Sequence, residues 1–262
     1  MNNKHYLIEL LTPKQKDIDK IDSKLKIFAE RYERILGLGN KTESMVSIPD
    51  NPLGNLHFTA METLEYLDLK LNPEKTLLHL NSFHRKQDLD KFLKEAADKS
   101  LKYLLIISGD GSPKLPRLEP SQLGIEAKTV TSIELLRYVN EYYQNAFITG
   151  VAFNQYEPQK SEIEKLEKKI EAGAKFITTQ PVIWNDTSIE AIKKYNLPIN
   201  LGCWMSNNIQ LLYECVGIEK MKPLEIYNPM KNLKMLRQSN PESSIYLSLL
   251  SFKADWEKIL MD

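Results

Sequence analysis

The sequence is poor in cysteine and in glycine motifs, and each shortage excludes a class of protein. Only two cysteines, Cys203 and Cys215, occur in 262 residues, which is too few for a disulfide framework or a four-thiolate metal site. The ten glycines form no dinucleotide-binding fingerprint after a strand, no Gly-Lys-Ser/Thr phosphate loop and no Gly-x-Ser-x-Gly elbow. A Rossmann dehydrogenase, a P-loop enzyme and a serine hydrolase are therefore disfavoured.

The chain also lacks an excess of charge of either sign and a long hydrophobic run. Lys plus Arg and Asp plus Glu number 35 each, so no net field attracts nucleic acid or an anionic membrane. Near the N-terminus the apolar stretch spans only a few residues before charges return, which argues against a signal peptide or a membrane span. We expect a soluble, cytoplasmic protein in a reducing compartment, with no nucleic-acid or membrane partner.

The segment 161–182, SEIEKLEKKIEAGAKFITTQPV, contains one complete helix and strand. Its apolar side chains recur at spacings of three and four residues: Ile163, Leu166, Ile170 and Ala174. This spacing predicts an amphipathic helix that Gly173 ends, and the run 176–179 predicts a buried strand. Ligands in α/β folds gather at the carboxyl ends of parallel strands, so Gln180 is a candidate site residue.

The same helix and strand pattern recurs along the whole chain. Strands are predicted at 6–11, 45–48, 76–81, 101–107, 147–153, 176–179, 198–201 and 244–250. The other predicted helices are 12–37, 60–71, 88–99, 133–143 and 252–260. Eight strand-helix units with right-handed crossovers predict a closed (β/α)8 TIM barrel, with an open doubly wound sheet as the alternative. No linker or shift of composition divides the chain, so residues 1–262 are predicted to form a single domain.

Glu9 is unusual because it lies inside an otherwise apolar strand. Burying an ionised carboxylate costs several kcal/mol unless it is paired or its pKa rises. A raised pKa is what a general acid needs. The alternative is that Glu9 points outward and pairs with a surface lysine.

Several further polar residues end or follow predicted strands, and these are Asp50, His79, Asn81, Asp110, Asn154 and Gln155. Asp110 lies between Gly109 and Gly111, whose small size lets the backbone approach a ligand. The alternative is an Asp-Gly turn with only local hydrogen bonds. His79 is either a core histidine or a ligand contact. His79 and His84 lack the spacing of a helical zinc motif, so no metal site is predicted.

Five segments resemble the methylenetetrahydrofolate reductase family, which are flavin enzymes on a (β/α)8 barrel. Residues 168–180, KKIEAGAKFITTQ, are similar to the family's K-V-x-A-G-A-x-F-x-x-T-Q. Residues 8–14, IELLTPK, resemble its F-E-[FL]-x-P-P-[KR] opening, and 47–54, SIPDNPLG, resemble V-T-D-N-P-x-G. The remaining two are Leu78-His79-Leu80 and Gly109-Asp110, which match its H-L and G-D.

The resemblance implies both an activity and roles for individual residues. The activity is reduction of 5,10-methylenetetrahydrofolate to 5-methyltetrahydrofolate with NAD(P)H and FAD, in one-carbon metabolism and methionine biosynthesis. Glu9 falls on the catalytic acid, Asp110 on the aspartate beside flavin and folate, and Gln180 on the glutamine that binds the pterin. The implied cofactor-binding residues are Asp50, His79, Ser108, Asp110, Phe153, Glu162 and Lys169.

The sequence also departs from the family pattern, and these departures leave alternatives open. Ser108 replaces an arginine, Glu157 replaces a histidine, and 202–208 lacks an aromatic residue that packs on substrate. Fewer positive groups weaken affinity for FAD, so FMN or no flavin remains an alternative.

Two other functions stay open beside the reductase. One is a flavin-independent, folate-dependent methyl or methylene transferase on the same barrel. The other is a non-catalytic barrel subunit of a one-carbon enzyme complex. The expected partners are a tetrahydrofolate derivative and either a second copy or a partner subunit, for which Trp184 and Trp204 offer aromatic contacts.

Overall fold

Eight parallel strands close into a barrel in the computed structural model, which describes residues 5–38, 43–183, 186–216, 227–249, 251–252 and 260. The strands are β1 (His5–Glu9), β2 (Glu43–Ile48), β3 (Thr76–Leu80), β4 (Tyr103–Ile106), β5 (Ile148–Phe153), β6 (Phe176–Pro181), β7 (Ile199–Trp204) and β8 (Ser244–Ser248). Each strand pairs with the next in sequence, and β1 pairs with β8 to close the ring. The predicted TIM barrel is therefore confirmed.

Eight α-helices occur among the described residues: one follows each of β1 to β6, and the last two lie between β7 and β8. They are α1 (Ile21–Gly37), α2 (Ala60–Glu65), α3 (Lys86–Asp98), α4 (Ser132–Tyr142), α5 (Gln159–Glu171), α6 (Thr187–Lys193), α7 (Ile209–Val216) and α8 (Pro229–Ser239). None of the described helices is long and apolar enough to cross a membrane. The predicted helix 252–260 lies almost wholly outside the described residues.

The first helix begins later than its sequence predicts. Lys14 forms an isolated bridge to His57, and the amide of Phe58 donates to the carbonyl of Pro13 at 2.9 Å. These pairings keep the start of the segment extended, so a 3-10 turn (Gln15–Lys20) precedes α1. The second helix is shorter than predicted, because α2 ends at Glu65 and a 3-10 turn follows at Asp68–Lys70.

Alternation along each strand separates the outer core from the barrel interior. Tyr6, Ile8 and Leu10 pack outward in the large core shared with the helices. Leu7 belongs instead to an inner cluster with Leu77, Leu105, Phe176 and Tyr246. Successive side chains on a strand point to opposite faces, so Glu9 shares the inward face of Leu7. The strand pattern thus places a carboxyl inside the barrel.

Phe176 fills the interior because the facing strand has no side chain at that level. A Cβ added at Gly150 would lie 2.0 Å from Cε2 of the Phe176 ring. Gly150 is paired directly with Phe176 across β5 and β6. The large ring and the missing side chain therefore form one packing unit at the amino-terminal level of these two strands.

Candidate active site

A cavity of about 670 Å³ opens at the carboxyl ends of the strands. Eight of the nine residues to which the resemblance assigns a role line it, and they are Glu9, Asp50, His79, Ser108, Asp110, Glu162, Lys169 and Gln180. They come from six different strand-helix units, so closure of the barrel is what brings them together. The volume lies in the range of small-molecule sites.

Glu9 is the last residue of β1 and faces this cavity rather than the outer surface. The hydroxyl of Tyr246 donates a hydrogen bond to its Oε2 at 3.1 Å. Burial raises the pKa of Glu9 from 4.5 to about 7, although hydrogen bonds from Tyr246 and from the backbone of Leu249 oppose the rise. The carboxyl is thus an acid that holds its proton close to neutral pH.

His79 lies beside this group on β3. Its Nε2 and the Ser47 hydroxyl are 2.9 Å apart, and its ring centroid is 6.0 Å from that of Tyr246. Burial lowers the pKa of His79 to about 4, and attraction to Asp50 only partly offsets this. The imidazole is therefore neutral at pH 7, and it contributes a hydrogen bond rather than a charge.

Asp50 connects the ends of β2 and β3. Its Oδ2 lies 2.6 Å from Nε2 of His84 and accepts from the Asn81 amide at 3.1 Å. Burial alone would lower the pKa of His84, but attraction to Asp50 and their hydrogen bond together raise it. Asp50 therefore forms one wall of the cavity while its carboxylate is held in an internal ion pair.

Asp110 is exposed at the rim, in the loop after β4. Its Oδ2 accepts a hydrogen bond from the backbone amide of Leu53 at 2.8 Å, so the contact is not confined to its own turn. Gly109 before it has a φ of 77°, and a Cβ there would lie 2.7 Å from Cβ of Asn81. Only glycine fits both the left-handed backbone and this close approach.

Gln180 lies where the pairing of β6 with β7 shifts register, between Thr178 and Pro181. The Gln155 amide group donates to the carbonyl of Gln180 at 2.9 Å and to that of Pro181 at 3.1 Å. A Cβ at Gly202 would lie 2.8 Å from the Gln180 carbonyl. The backbone is therefore fixed on both sides, whereas the side-chain amide of Gln180 makes no hydrogen bond within the described residues.

Glu162 and Lys169 form a buried pair on the inner side of α5. The Lys169 ammonium donates to the Ala152 carbonyl at 2.7 Å and lies 3.8 Å from Oε1 of Glu162. Lys165 approaches the other carboxylate oxygen at 3.2 Å. Burial lowers the pKa of Lys169, and the neighbouring Glu162 opposes this effect. Both lysines therefore already have an anionic partner in the protein.

Phe153 is a correction to the predicted site. Its side chain is fully buried in the outer core between strands and helices, and it does not line the cavity. Alternation explains this, because Ala152 takes the inward position of β5 and Phe153, one residue further, points outward. A direct cofactor contact through Phe153 does not fit this position.

Of the two tryptophans proposed for the rim, only Trp204 lies among the described residues. Trp184 lies outside the described residues. Trp204 lines the cavity but is 95% covered, because it packs with Leu212 and Tyr227 and donates from Nε1 to the carbonyl of Asn208 at 3.1 Å. Trp204 is therefore mainly a packing residue of the β7 end.

Sequence reasoning missed Ser47, Tyr246 and Leu249, which surround Glu9. Period-two alternation through β8 was the available signal, since Tyr246 lies between outward-packing Ile245 and Leu247.

Among the described residues, no group of three or more His, Cys, Asp and Glu side chains is arranged to hold a metal ion.

One comparison with known proteins found a match. A family model described as methylenetetrahydrofolate reductase matches residues 6–201, from β1 into β7. No curated protein matches the chain. The matched region is about three quarters of the 262 residues and contains Glu9, Asp110 and Gln180. The chain therefore belongs to the methylenetetrahydrofolate reductase family.

Proposed function

We propose that the protein reduces 5,10-methylenetetrahydrofolate to 5-methyltetrahydrofolate, with NAD(P)H as electron donor and a bound flavin. The observation that supports this most is the position of Glu9, which lines the same cavity as Asp110 and Gln180. Its pKa of about 7 suits a group that gives up a proton at neutral pH. Family membership supports a folate as the substrate class.

In this proposal Glu9 is the general acid. Its proton passes to N10 of the folate, the bond from N10 to the methylene carbon breaks, and an electrophilic iminium forms at N5. A carboxyl with an ordinary pKa would already be ionised at pH 7 and would have no proton to give. Burial inside the barrel thus prepares Glu9 for the ring-opening step.

Asp110 and Gln180 hold the pterin. A carboxylate accepts hydrogen bonds from ring and amino N–H groups, and a carboxamide both donates and accepts. The Gln180 amide has no partner within the described residues, and its backbone is fixed by Gln155. Both groups would therefore orient the folate against the cavity wall and exclude water from the reacting carbon.

The apolar lining of the cavity supports a flavin ring as its occupant, although the cationic groups near it are few. Leu105, Ile107 and Ala152 supply an apolar wall, and Gly109 allows close approach of the backbone. The residues that would hold a flavin are Asp50, His79, Ser108, Asp110, Glu162 and Lys169, with FAD as the expected form. The chemistry that a flavin supplies when bound is transfer of hydride from NAD(P)H to the folate.

A second function is supported by the ion pairs around α5. Lys165 and Lys169 both contact Glu162, and the neutral Ser108 and the acidic Glu157 also line the cavity. The diphosphate of FAD would have to compete with Glu162 for Lys165 and Lys169. This favours, as the second candidate, a flavin-independent methyl or methylene transfer from folate in which Glu9, Asp110 and Gln180 keep their roles.

The absorbance spectrum of purified protein distinguishes the two functions. We expect a flavin band, either as purified or after addition of FAD or FMN and removal of the unbound cofactor. NAD(P)H should bleach this band, and methylenetetrahydrofolate should restore it. If no flavin is retained under any of these conditions while folate still binds, the transferase replaces the reductase as the proposed function.

A further inference from the structure

The carboxyl of Glu9 is held by the last strand of the barrel, which lies beyond the region that the family model matches. Tyr246 of β8 is 93% covered in the interior, and its hydroxyl donates to Oε2 of Glu9 at 3.1 Å. Leu249, just after β8, donates its backbone amide to the same carboxyl. Two donors from one strand end thus converge on the proposed acid.

Leu249, whose amide donates to Glu9, has an unusual backbone conformation. Leu249 has a φ of 55°, in the left-handed region that a leucine rarely adopts. Residues held in such conformations persist only where the surrounding structure fixes them, and they cluster at functional sites. At Leu249 this conformation accompanies the hydrogen bond of its amide to Glu9.

Tyr246 connects Glu9 with two further polar side chains, Ser47 and His79. A carboxylate oxygen only accepts, so the Tyr246 hydroxyl spends its single hydrogen on Glu9. Its oxygen also interacts with the Ser47 hydroxyl, and the Ser47 hydroxyl lies 2.9 Å from Nε2 of His79. Neutral His79, Ser47 and Tyr246 therefore form a chain of polar side chains that ends on Oε2 of Glu9.

We propose that Tyr246 is a positioning residue for the acid, because its hydroxyl occupies Oε2 and leaves the transferable proton on Oε1. This inference rests on the proposed function. When the O–H bond of Glu9 breaks and the N–H bond of the folate forms, a buried carboxylate remains. The Tyr246 hydroxyl and the Leu249 amide then stabilise that carboxylate, so the acid is strengthened without exposure to water.

Other charged and titratable groups also face this part of the cavity. Cys215 approaches from α7, and Asp110 and Lys14 line the cavity from the loops after β4 and β1. His79 faces it from β3 through Ser47. Among the described residues, Tyr246 is the one whose side chain donates a hydrogen bond to the Glu9 carboxyl, so its removal is the most selective change.

The test is a titration of Glu9 in flavin-free protein carrying glutamate labelled with carbon-13 at the side-chain carboxyl. The signal lost in Glu9→Gln identifies the group. In Tyr246→Phe the titration midpoint should rise by about one pH unit or more, because a carboxylate loses a hydrogen-bond donor. An unchanged or lower midpoint would overturn the proposal.

The matched control is Tyr6→Phe, one strand away on β1. The Tyr6 hydroxyl is buried on the outward face and has no hydrogen-bond partner among the described residues, so its loss should leave the midpoint of Glu9 unchanged. Ser47→Ala serves as the second variant if Tyr246→Phe does not fold. It should shift the midpoint in the same direction and by less, and no shift would again contradict the proposal.

Kinetics provide a second readout that a merely structural role would not move. In Tyr246→Phe we expect kcat to fall about tenfold or more with KM for the folate changed less than twofold, and the basic limb of the pH profile should move upward. If the wild type proves to have no reductase activity, the proposed function fails, and the titration still decides whether Tyr246 controls Glu9.

Discussion

Glu9 and His79 are separated only by Ser47 and Tyr246 in the hydrogen-bond chain, yet burial moves their pKa values in opposite directions. For Glu9 the folded pKa of about 7 exceeds the ordinary 4.5, so the free energy of unfolding falls as pH rises through that window. For His79 the folded pKa of about 4 lies below the ordinary 6.5, so unfolding becomes harder as pH rises from 4 to 6.5. The two slopes largely cancel between pH 4.5 and 6.5.

Replacing Glu9 should reveal its own contribution to the pH dependence of stability. The unfolding free energy of Glu9→Gln minus that of wild type should increase as the pH rises, by about 1.4 kcal/mol per pH unit, to at most about 3 kcal/mol near pH 7. Urea titrations across pH 4.5 to 7.5 measure this difference, with the exposed Glu141→Gln as control. A difference that stays constant with pH would contradict the assigned burial of Glu9.

At the residue scale the sequence predicted the inward acid but not what holds it. Glu9 stands out because a carboxylate interrupts an apolar strand, and period-two alternation then fixes its direction. For Tyr246 the alternation of β8 indicates only the inward direction, and it does not distinguish a functional tyrosine from one that packs in a strand. Phe153 was assigned by resemblance to a motif, and the alternation at Ala152 shows why its side chain points away from the cavity.

The pairing of β5 with β6 depends on a missing side chain at Gly150. In Gly150→Ala the new methyl group would overlap the Phe176 ring, so we expect a loss of about 1–3 kcal/mol in unfolding free energy. Gly37→Ala is the matched control, because Gly37 ends α1 with nothing within 4 Å of its added Cβ. Equal stability of the two variants, measured by urea denaturation, would argue against the close packing at Gly150.

The loop after β4 tests how strictly a strand end positions the site. Gly109→Ala must accept both a left-handed backbone and a Cβ 2.7 Å from that of Asn81, whereas Gly124→Ala meets only the left-handed backbone, with φ of 68° and open space. Each alanine substitution costs about 1–2 kcal/mol of stability because of the left-handed backbone. At Gly109 the steric overlap adds to this cost. Because Gly109→Ala displaces Asp110, we expect this variant alone to weaken folate binding, by about tenfold. Calorimetric titration measures the affinity of both variants for folate. Equal affinity of the two would oppose a pterin role for Asp110.

The order of the strands could be predicted from the sequence, whereas helices α6, α7 and α8 and some element ends were not predicted. Hydrophobic runs and helical spacing identified all eight strands in order, and the glycine after α5 predicted its end. The start of α1 was wrong because residues 13–15 pair with 56–58 across the chain, a non-local contact that no local pattern reports. The same applies to the hydrogen-bond chain from His79 to Glu9, which joins four strands.

For the whole molecule, we propose that residues 1–262 form one domain, because β1 pairs with β8 and the cavity takes residues from across the chain. Far-ultraviolet circular dichroism and tryptophan fluorescence should then report one coincident unfolding transition. 5-Methyltetrahydrofolate should raise the midpoint of this transition, because at a concentration one hundred times Kd it adds about 2.7 kcal/mol to the unfolding free energy. Gln180→Ala should lose most of this increase, and two separate transitions would contradict a single domain.

The most direct measurement of the central claim is stopped-flow absorbance of the flavin-loaded protein. The enzyme is first reduced with NAD(P)H without oxygen and is then mixed with methylenetetrahydrofolate. We expect rapid recovery of the oxidised flavin band in wild type and in Glu141→Gln, and a rate lower by about 10²- to 10⁴-fold in Glu9→Gln. Equal rates in wild type and Glu9→Gln would contradict the account.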